Sequence, residues 1–206
     1  MSRVGKSLAP PILGVGLLLA ACHPTGVEYV TDLDVVATTH DATFDFATPT
    51  TYVIADQVFL IEGDPTANPP ARIDPVLEQL ILNTLKNEMD ASGYTQVAVT
   101  ANPDLSVTAS ALKVTNVSYY YGYWCNYWGY YGCYPYYPPV VGVSTYTVGT
   151  LLVDMVPFSA APPGNQYKGV WTAVIRGIQT YSSADQQRVI NGISQAFIQS
   201  PYLGKP

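Results

Sequence analysis

The side chains that most often carry chemistry are scarce in this 206-residue chain, which has three cysteines and two histidines. The cysteines are Cys22, Cys125 and Cys133, and the histidines are His23 and His40. No G-x-S-x-G, H-E-x-x-H or phosphate-binding glycine loop occurs. Because nucleophilic and metal-assisted catalysis need several reactive groups close together, we expect no enzymatic activity, no cofactor and no bound metal.

The first cysteine follows a sequence typical of a bacterial lipoprotein leader. Arg3 and Lys6 form a short positive region, and the apolar run 12–19 (ILGVGLLL) is too short to span a bilayer as a mature helix. The run leads into Leu-Ala-Ala-Cys, the pattern of a lipobox, which ends at Cys22. We therefore expect residues 1–21 to be a signal peptide and Cys22 to become the acylated N-terminus. The alternative is an ordinary secretory signal with a coincidental cysteine.

Lipidation and charge together predict location and partners. A lipid on Cys22 would hold the protein at the cell envelope, and His23, in place of aspartate, favours the outer membrane facing the periplasm. The chain carries a net charge of −6, and loss of Arg3 and Lys6 with the leader makes the mature chain more acidic still. Such a chain repels phosphate backbones, so we expect no nucleic-acid partner.

The two remaining cysteines form a natural pair. If Cys22 carries lipid, Cys125 and Cys133 are left in an exported protein, where a disulfide is stable. Closing this short loop would stabilise the fold by roughly 2.5 kcal/mol in the chain-entropy treatment. A zinc site is the alternative, but the two thiols have no His, Asp or Glu near them in the sequence. We therefore expect a disulfide.

The cysteine pair lies within the most unusual stretch of the sequence, residues 119–139 (YYYGYWCNYWGYYGCYPYYPP), which is uncharged. Tyr and Trp provide large contact area at low entropic cost, as in binding paratopes. Three interpretations stay open: a flap over the sheet, a recognition loop for an envelope protein or glycan, and a segment at the membrane interface. The candidate binding residues are Tyr121, Tyr123, Trp124, Tyr127, Trp128, Tyr130, Tyr131, Tyr134 and Tyr136.

The elements that would position this stretch can be predicted from periodicity. Asp74 and Pro75 are typical of a helix start, and apolar residues then recur every fourth position until Gly93. A second helix is predicted from the Ser182…Asp185 capping pattern to the stop at Ser200-Pro201. Strand patterns cover 43–55, 96–100, 105–117, 146–156 and 170–180, with a bulge expected near Ala111.

This order, roughly β-α-β-β-β-β-α, predicts an α+β fold: an antiparallel sheet with two helices packed on one face. We expect a lipidated cysteine and tether over residues 22–40, with residues 27–36 as an alternative edge strand. A single domain should follow over residues 41–206, with the Cys-bridged aromatic insertion at 119–139. Asp154 and Arg176 are expected to form a cross-strand ion pair or to face solvent.

Several short motifs occur in an order that resembles a family of bacterial envelope lipoproteins known as a domain of unknown function. They are a lipobox at Cys22, Asp45-Phe46 with Thr51-Tyr52, Gly93-Tyr94, Pro103-Asp104-Leu105 with Val107, Gly149-Thr150-Leu151 with Asp154, Trp171, and a last helix with Ile190, Ile193, Ala196, Phe197 and Pro201. The resemblance spans about residues 41–202 and implies the same fold and envelope location, without catalytic residues. Trp171-Thr172-Ala173 departs from the W-x-G common in that family.

The sequence therefore predicts a membrane-anchored, periplasm-facing lipoprotein that works as a non-enzymatic binding module. Its aromatic loop would contact an envelope protein or a glycan. The alternative is a structural or assembly accessory protein of the envelope, in which the same loop is a flap that covers the sheet.

Overall fold

The computed structural model of the protein describes residues 35–61, 72–112, 149–158, 168–178 and 186–204. Within them the chain forms a six-stranded sheet and two α-helices. The strands are β1 Val36–His40, β2 Thr51–Ile61, β3 Thr95–Gln96, β4 Leu105–Leu112, β5 Thr150–Pro157 and β6 Trp171–Arg176, and the helices are α1 Pro75–Ala91 and α2 Gln186–Ile198.

The α+β prediction is confirmed, although the sheet is mixed rather than wholly antiparallel. Its strand order is β1-β6-β5-β4-β2-β3. The pairs β1–β6, β6–β5 and β5–β4 are antiparallel, whereas β2 runs parallel to both β3 and β4. The parallel pairing follows from connectivity, because α1 lies between β2 and β4 and returns the chain to the end of the sheet where β2 began.

The first helix begins and ends where the sequence predicts. The Asp74 side chain accepts hydrogen bonds from Val76 N at 3.0 Å and Leu77 N at 3.1 Å, so it caps the first turn, and Pro75 occupies the first helical position. Gly93 has a φ of 88°, the left-handed conformation that ends many helices. Local capping chemistry thus fixes α1.

Both helices pack on one face of the sheet. Leu77, Ile81, Leu85 and Met89 of α1 are fully buried and share one core with residues of α2 and the alternate residues of β4, β5 and β6. The α2 contribution to this core is Val189, Ile193, Ala196 and Phe197. Apolar burial against one sheet face therefore fixes the position of both helices.

A glycine on α2 allows a close contact that the sequence analysis missed. A Cβ built on Gly192 would lie 2.5 Å from Ile175 Cγ2 of β6, inside van der Waals contact. The helix therefore approaches the sheet more closely than any larger residue would permit.

The bulge lies in β2 and not near Ala111, so that prediction was wrong. The register of β2 against β4 shifts between Ile54 and Val58, while β4 pairs regularly with β5 from Leu105 to Leu112. The Glu78 carboxylate of α1 accepts a hydrogen bond from Val58 N at 3.0 Å and is itself buried. Arg72 donates to its other oxygen at 2.5 Å. Glu78 thus satisfies a backbone donor at the irregular strand.

The opposite face of the sheet is buried as well. Ser106, Thr108 and Ser110 of β4 and Asp154 of β5 are at most 1% exposed, and they alternate with the residues that face the helices. Thr172 Oγ1 donates to Asp154 Oδ1 at 2.6 Å, and the strand register places Thr172, not Arg176, opposite Asp154. This second face mixes the polar side chains with buried apolar ones such as Leu152, Val156 and Val174, whereas the helix-covered face is apolar.

Other predicted elements begin or end at different residues in the structure. Residues 36–40, assigned to the tether, form β1 and pair with β6, so the sheet begins before Asp41. The strand expected at 96–100 is only β3, followed by a 3₁₀ turn at Val99–Ala101. Ser182 and Asp185 lie outside the described residues. In the part of the chain that is described, no helix combines the length and apolarity needed to cross a membrane.

Candidate functional site

The site residues predicted from the sequence lie outside the described residues. They are Cys22, Cys125, Cys133, Tyr121, Tyr123, Trp124, Tyr127, Trp128, Tyr130, Tyr131, Tyr134 and Tyr136. The disulfide, the lipidation site and the aromatic recognition loop therefore stay predictions. The described residues instead show what the short sequence motifs do, and several of these motifs meet at one end of the sheet.

Asp104 joins three segments at that end. Its Oδ2 accepts hydrogen bonds from Thr50 N at 2.8 Å and Thr51 N at 2.9 Å, and from both threonine hydroxyls. Its backbone carbonyl accepts from Phe158 N at 2.8 Å, just beyond β5. The Thr50 and Thr51 backbone donors favour the ionised carboxylate and lower the pKa of Asp104 below its ordinary value.

A second aspartate shapes the connection between β1 and β2. Asp45 Oδ1 accepts from Ala47 N at 3.0 Å and Oδ2 accepts from Thr48 Oγ1 at 2.8 Å, which closes a turn. On either side of Asp45, the rings of Phe44 and Phe46 meet edge to face with centroids 4.8 Å apart. Phe46 is buried in the core, whereas Phe44 is partly buried and packs against it.

Phe46 belongs to an aromatic group that closes this end of the domain. Its ring lies 5.3 Å from Tyr202, and Tyr202 packs on His40 with centroids 4.0 Å apart. Tyr94 Oη donates to the Phe46 carbonyl at 3.3 Å, and burial raises the pKa of Tyr94 to about 12. The only histidine in the described residues is thus part of a packed aromatic group rather than a polar pocket.

An ion pair lies at the same end. Lys168 Nζ donates to Asp41 Oδ2 at 2.5 Å, and Thr43 N and Oγ1 donate to Asp41 Oδ1. Lys168 is the first cause, followed by Thr43, of the shift that lowers the pKa of Asp41 to about 2. The pair ties the start of the β1–β2 connection to the residues that precede β6.

These contacts enclose a cleft of about 460 Å³ at the end of the sheet where β2 and β4 begin and β5 ends. We call it the proline cleft, because three prolines and two phenylalanines form most of its walls. Its lining residues are Phe44, Asp45, Thr48, Pro49, Asn102, Pro103, Asp104, Pro157 and Phe158. Among these described residues there are two carboxylates and no basic side chain.

The described lining combines apolar walls with two hydrogen-bonded carboxylates. Among the described lining residues no nucleophile is paired with a base, since the titratable groups there are two aspartates that already accept hydrogen bonds from backbone and hydroxyl donors. Among the described residues, no group of three or more His, Cys, Asp or Glu is placed to hold a metal ion. Apolar walls with a few fixed polar groups are typical of a ligand site.

A second groove differs from the proline cleft in its chemistry. It lies along the first turns of α1 beside the start of α2, and it has a volume of about 490 Å³. Its lining residues are Pro75, Val76, Gln79, Leu80, Asn83 and Gln186, and Val76 is 64% exposed. None of these described residues is charged, so they offer a ligand amide and apolar contacts.

Sequence reasoning missed the role of Asp104, although a signal was present. Pro103-Asp104 and Thr50-Thr51 each come directly before or at the start of a strand. Two parallel neighbouring strands begin at the same edge of a sheet, so a carboxylate before one can reach the backbone donors of the other. Only the parallel pairing, which the sequence analysis did not predict, reveals this contact.

The fold and site together define a single-sheet α+β domain whose motif residues serve packing, backbone hydrogen bonding and a cleft. The chain belongs to the family described as "Domain of unknown function (DUF4136)", whose profile matches residues 36–202. The resemblance to a family of unknown function stated from the motifs is thereby confirmed. No curated protein matches the chain.

Solved structures are similar to this chain to different degrees. A DUF4136 family protein from Bacteroides thetaiotaomicron is 26% identical, with a TM-score of 0.65, over 83% of this chain and 97% of its own. A PelC dodecamer from Paraburkholderia phytofirmans is 11% identical over 84% and 99% of the two chains, with a TM-score of 0.42. A PDZ domain protein from Parabacteroides distasonis is 17% identical over 82% and 36%, with a TM-score of 0.44.

Proposed function

We propose that this protein is a lipid-anchored, periplasm-facing protein of the cell envelope, held at the outer membrane, and that it acts by binding rather than catalysis. The observation that carries the proposal is the uncharged stretch of tyrosine and tryptophan at residues 119–139, in a chain whose leader ends in a lipobox. The partner would be an envelope protein or a glycan.

The physical argument concerns apolar area. Each tyrosine or tryptophan covers on the order of 150–250 Å² when it is buried. The aromatic rings of residues 119–139, if fully exposed, would far exceed the few hundred Å² of contiguous apolar surface usual on a soluble monomer. Their rings need a surface to pack against, and glycan C–H faces or a protein partner would supply one. The acidic chain disfavours nucleic acid as that partner.

The lipid anchor has a direct test. Cys22→Ser removes the thiol that would be acylated, so we expect the protein to leave the membrane fraction and to keep its leader uncleaved or cleaved elsewhere. Fractionation followed by mass spectrometry of the mature N-terminus measures both effects. Wild-type protein in the soluble fraction, or a Cys22→Ser variant retained in membranes, would refute the anchor.

The recognition role is tested by chemical crosslinking and pull-down from intact envelopes. Wild type is compared with a variant in which residues 119–139 are replaced by a short Gly-Ser turn. The matched control is Ile198→Ser, which removes an apolar side chain that is 71% exposed on α2. We expect the partners to disappear with the replacement alone. The same partners with all three chains would contradict a recognition role for residues 119–139.

A structural or assembly accessory role is the second candidate, with residues 119–139 as a flap that covers the sheet. One observation favours it: the face of β4 and β5 opposite the helices is at most 1% exposed at Ser106, Thr108 and Ser110. On this alternative, the Gly-Ser replacement unfolds the domain, which circular dichroism would detect. Whether residues 119–139 are a recognition loop or a flap, non-reducing mass spectrometry of the wild-type protein should find Cys125 linked to Cys133. Two free thiols would refute the disulfide.

A further inference from the structure

We propose that the proline cleft binds a proline-containing peptide segment of a partner protein through an arginine or lysine side chain. The inference uses residues other than 119–139 and does not depend on the recognition role proposed for them. Three features carry the inference: the chemistry of the walls, their rigid support and the sign of the charge.

The walls suit an extended, proline-rich chain. Pro49, Pro103 and Pro157 come from three different segments, and Phe44 and Phe158 lie among them. Grooves lined by aromatic rings bind polyproline II segments well, because such segments lose little entropy on binding. The volume of about 460 Å³ lies within the range of ordinary ligand sites.

The walls are also held in place before any ligand arrives. Asp104 bonds to Thr50 and Thr51 through its side chain and to Phe158 through its carbonyl, so one residue ties together all three segments. Phe44 is supported edge to face by Phe46, which is only 6% exposed. A preformed site spends less binding free energy on ordering itself.

The negative charge of the proline cleft favours a ligand with a cationic side chain. Among the described residues that line the cleft, Asp45 and Asp104 are acidic and none is arginine, lysine or histidine. All side-chain hydrogen bonds of Asp104 in the described residues end on Oδ2, which leaves Oδ1 as an acceptor for a ligand. Lys168, at the same end of the sheet, is bonded to Asp41. Guanidinium and ammonium groups bind such carboxylates by charge-assisted hydrogen bonds, and the aromatic wall adds a cation–π contact.

The test measures fluorescence anisotropy of labelled peptides mixed with the full-length protein purified from its host cells, at physiological salt. The probe is the peptide acetyl-Ala-Pro-Pro-Arg-Pro-Tyr-amide. Its matched control has glutamine in place of arginine. We expect the arginine peptide to bind more tightly than the glutamine peptide by a factor of up to about five, because a single partly exposed charge contact contributes up to about this factor. Equal affinities, or no binding of the arginine peptide, would overturn the proposal.

Variants locate the binding to the cleft. Phe44→Ala removes an aromatic wall and should weaken binding about tenfold. Asp45→Asn keeps the size of the side chain and should weaken binding of the arginine peptide about threefold while leaving the glutamine peptide unchanged. Asp56→Asn is the control, since it removes the same charge from β2 outside the cleft. Circular dichroism confirms that each variant is folded; if Phe44→Ala does not fold, Asp45→Asn decides. Equal losses in Asp45→Asn and Asp56→Asn would show general charge attraction and contradict the site.

Discussion

The helix-covered face of the sheet and the end of the sheet that carries the proline cleft are held together by different physics. On the helix face, Leu77, Ile81, Leu85 and Met89 are fully buried among apolar neighbours, and Gly192 allows α2 to approach β6 closely. At the sheet end, carboxylates bond to backbone and hydroxyl donors. The first region should set the stability of the fold, and the second should be sensitive to pH and shape a site for a ligand.

The largest loss of stability is expected for a substitution on the helix-covered face of the sheet. Leu85→Ala leaves a cavity beneath α1 and should lower the free energy of unfolding by about 3 kcal/mol. Urea denaturation followed by circular dichroism measures the change. The control is Ile198→Ala on α2, whose side chain is 71% exposed and should contribute less than about 0.5 kcal/mol. A Leu85→Ala loss as small as that of Ile198→Ala would contradict the assignment of stability to this face.

The second-largest loss of stability is expected at the contact between α1 and the bulged strand β2. Glu78→Ala leaves the Val58 N–H at the β2 bulge without its carboxylate partner and should cost about 2 kcal/mol of unfolding free energy. Arg72→Ala, which removes only the exposed partner of the same carboxylate, should cost less than about 0.5 kcal/mol. If the two variants are equally destabilised, the ion pair and not the backbone hydrogen bond is the important contact.

At the end of the sheet that carries the proline cleft, the effect of a substitution on stability should depend on pH. Asp104→Asn removes the charge that accepts four hydrogen bonds and should cost about 1.5 kcal/mol at neutral pH. Because the folded-state pKa of Asp104 is lowered, its contribution is present above the unfolded pKa of about 4 and is lost as pH falls through the folded value. Urea denaturation at neutral pH and at about pH 3 measures it. A difference between wild type and variant that stays constant with pH would contradict this account.

The smallest effect is expected for the exposed ion pair. Asp41→Asn should cost about 1 kcal/mol at neutral pH, since solvent screens the bond to Lys168, which is 45% exposed. The pKa of Asp41 is lowered to about 2, so this stabilisation should disappear as pH falls from about 4 towards 2. Added salt should reduce it further at neutral pH. Thermal melts of both chains at low and high salt would show whether Lys168 or the Thr43 hydrogen bonds matter more.

The features that could be predicted from the sequence depend on residues that are close together in the chain. Asp74, Pro75 and Gly93 define α1 through contacts within a few residues, and the apolar repeat of α1 identifies its buried side. The parallel pairing of β2 with β4 and the bulge before Val58 depend on strands about fifty residues apart, which no local pattern encodes. For the same reason the cleft could not be predicted, because Asp104 reaches Thr50 only through that pairing.

The sequence analysis chose residues 119–139 as the candidate site because of their composition, and the proline cleft is a different region. Residues 119–139 are distinctive because of their residue types, whereas the proline cleft consists of ordinary residues from three segments. Two acids and three prolines become a site only when the sheet places them together. The recognition role of the aromatic stretch stays a prediction, and the cleft adds a second surface to test.

Affinity for the arginine peptide, measured in Leu85→Ala and Asp45→Asn at a temperature where both are folded, tests the separation of the two regions most directly. We predict that Leu85→Ala loses stability but binds the peptide within about twofold of wild type. Asp45→Asn should keep more of its stability and bind about threefold more weakly. Loss of affinity in Leu85→Ala, with unchanged affinity in Asp45→Asn, would contradict the account.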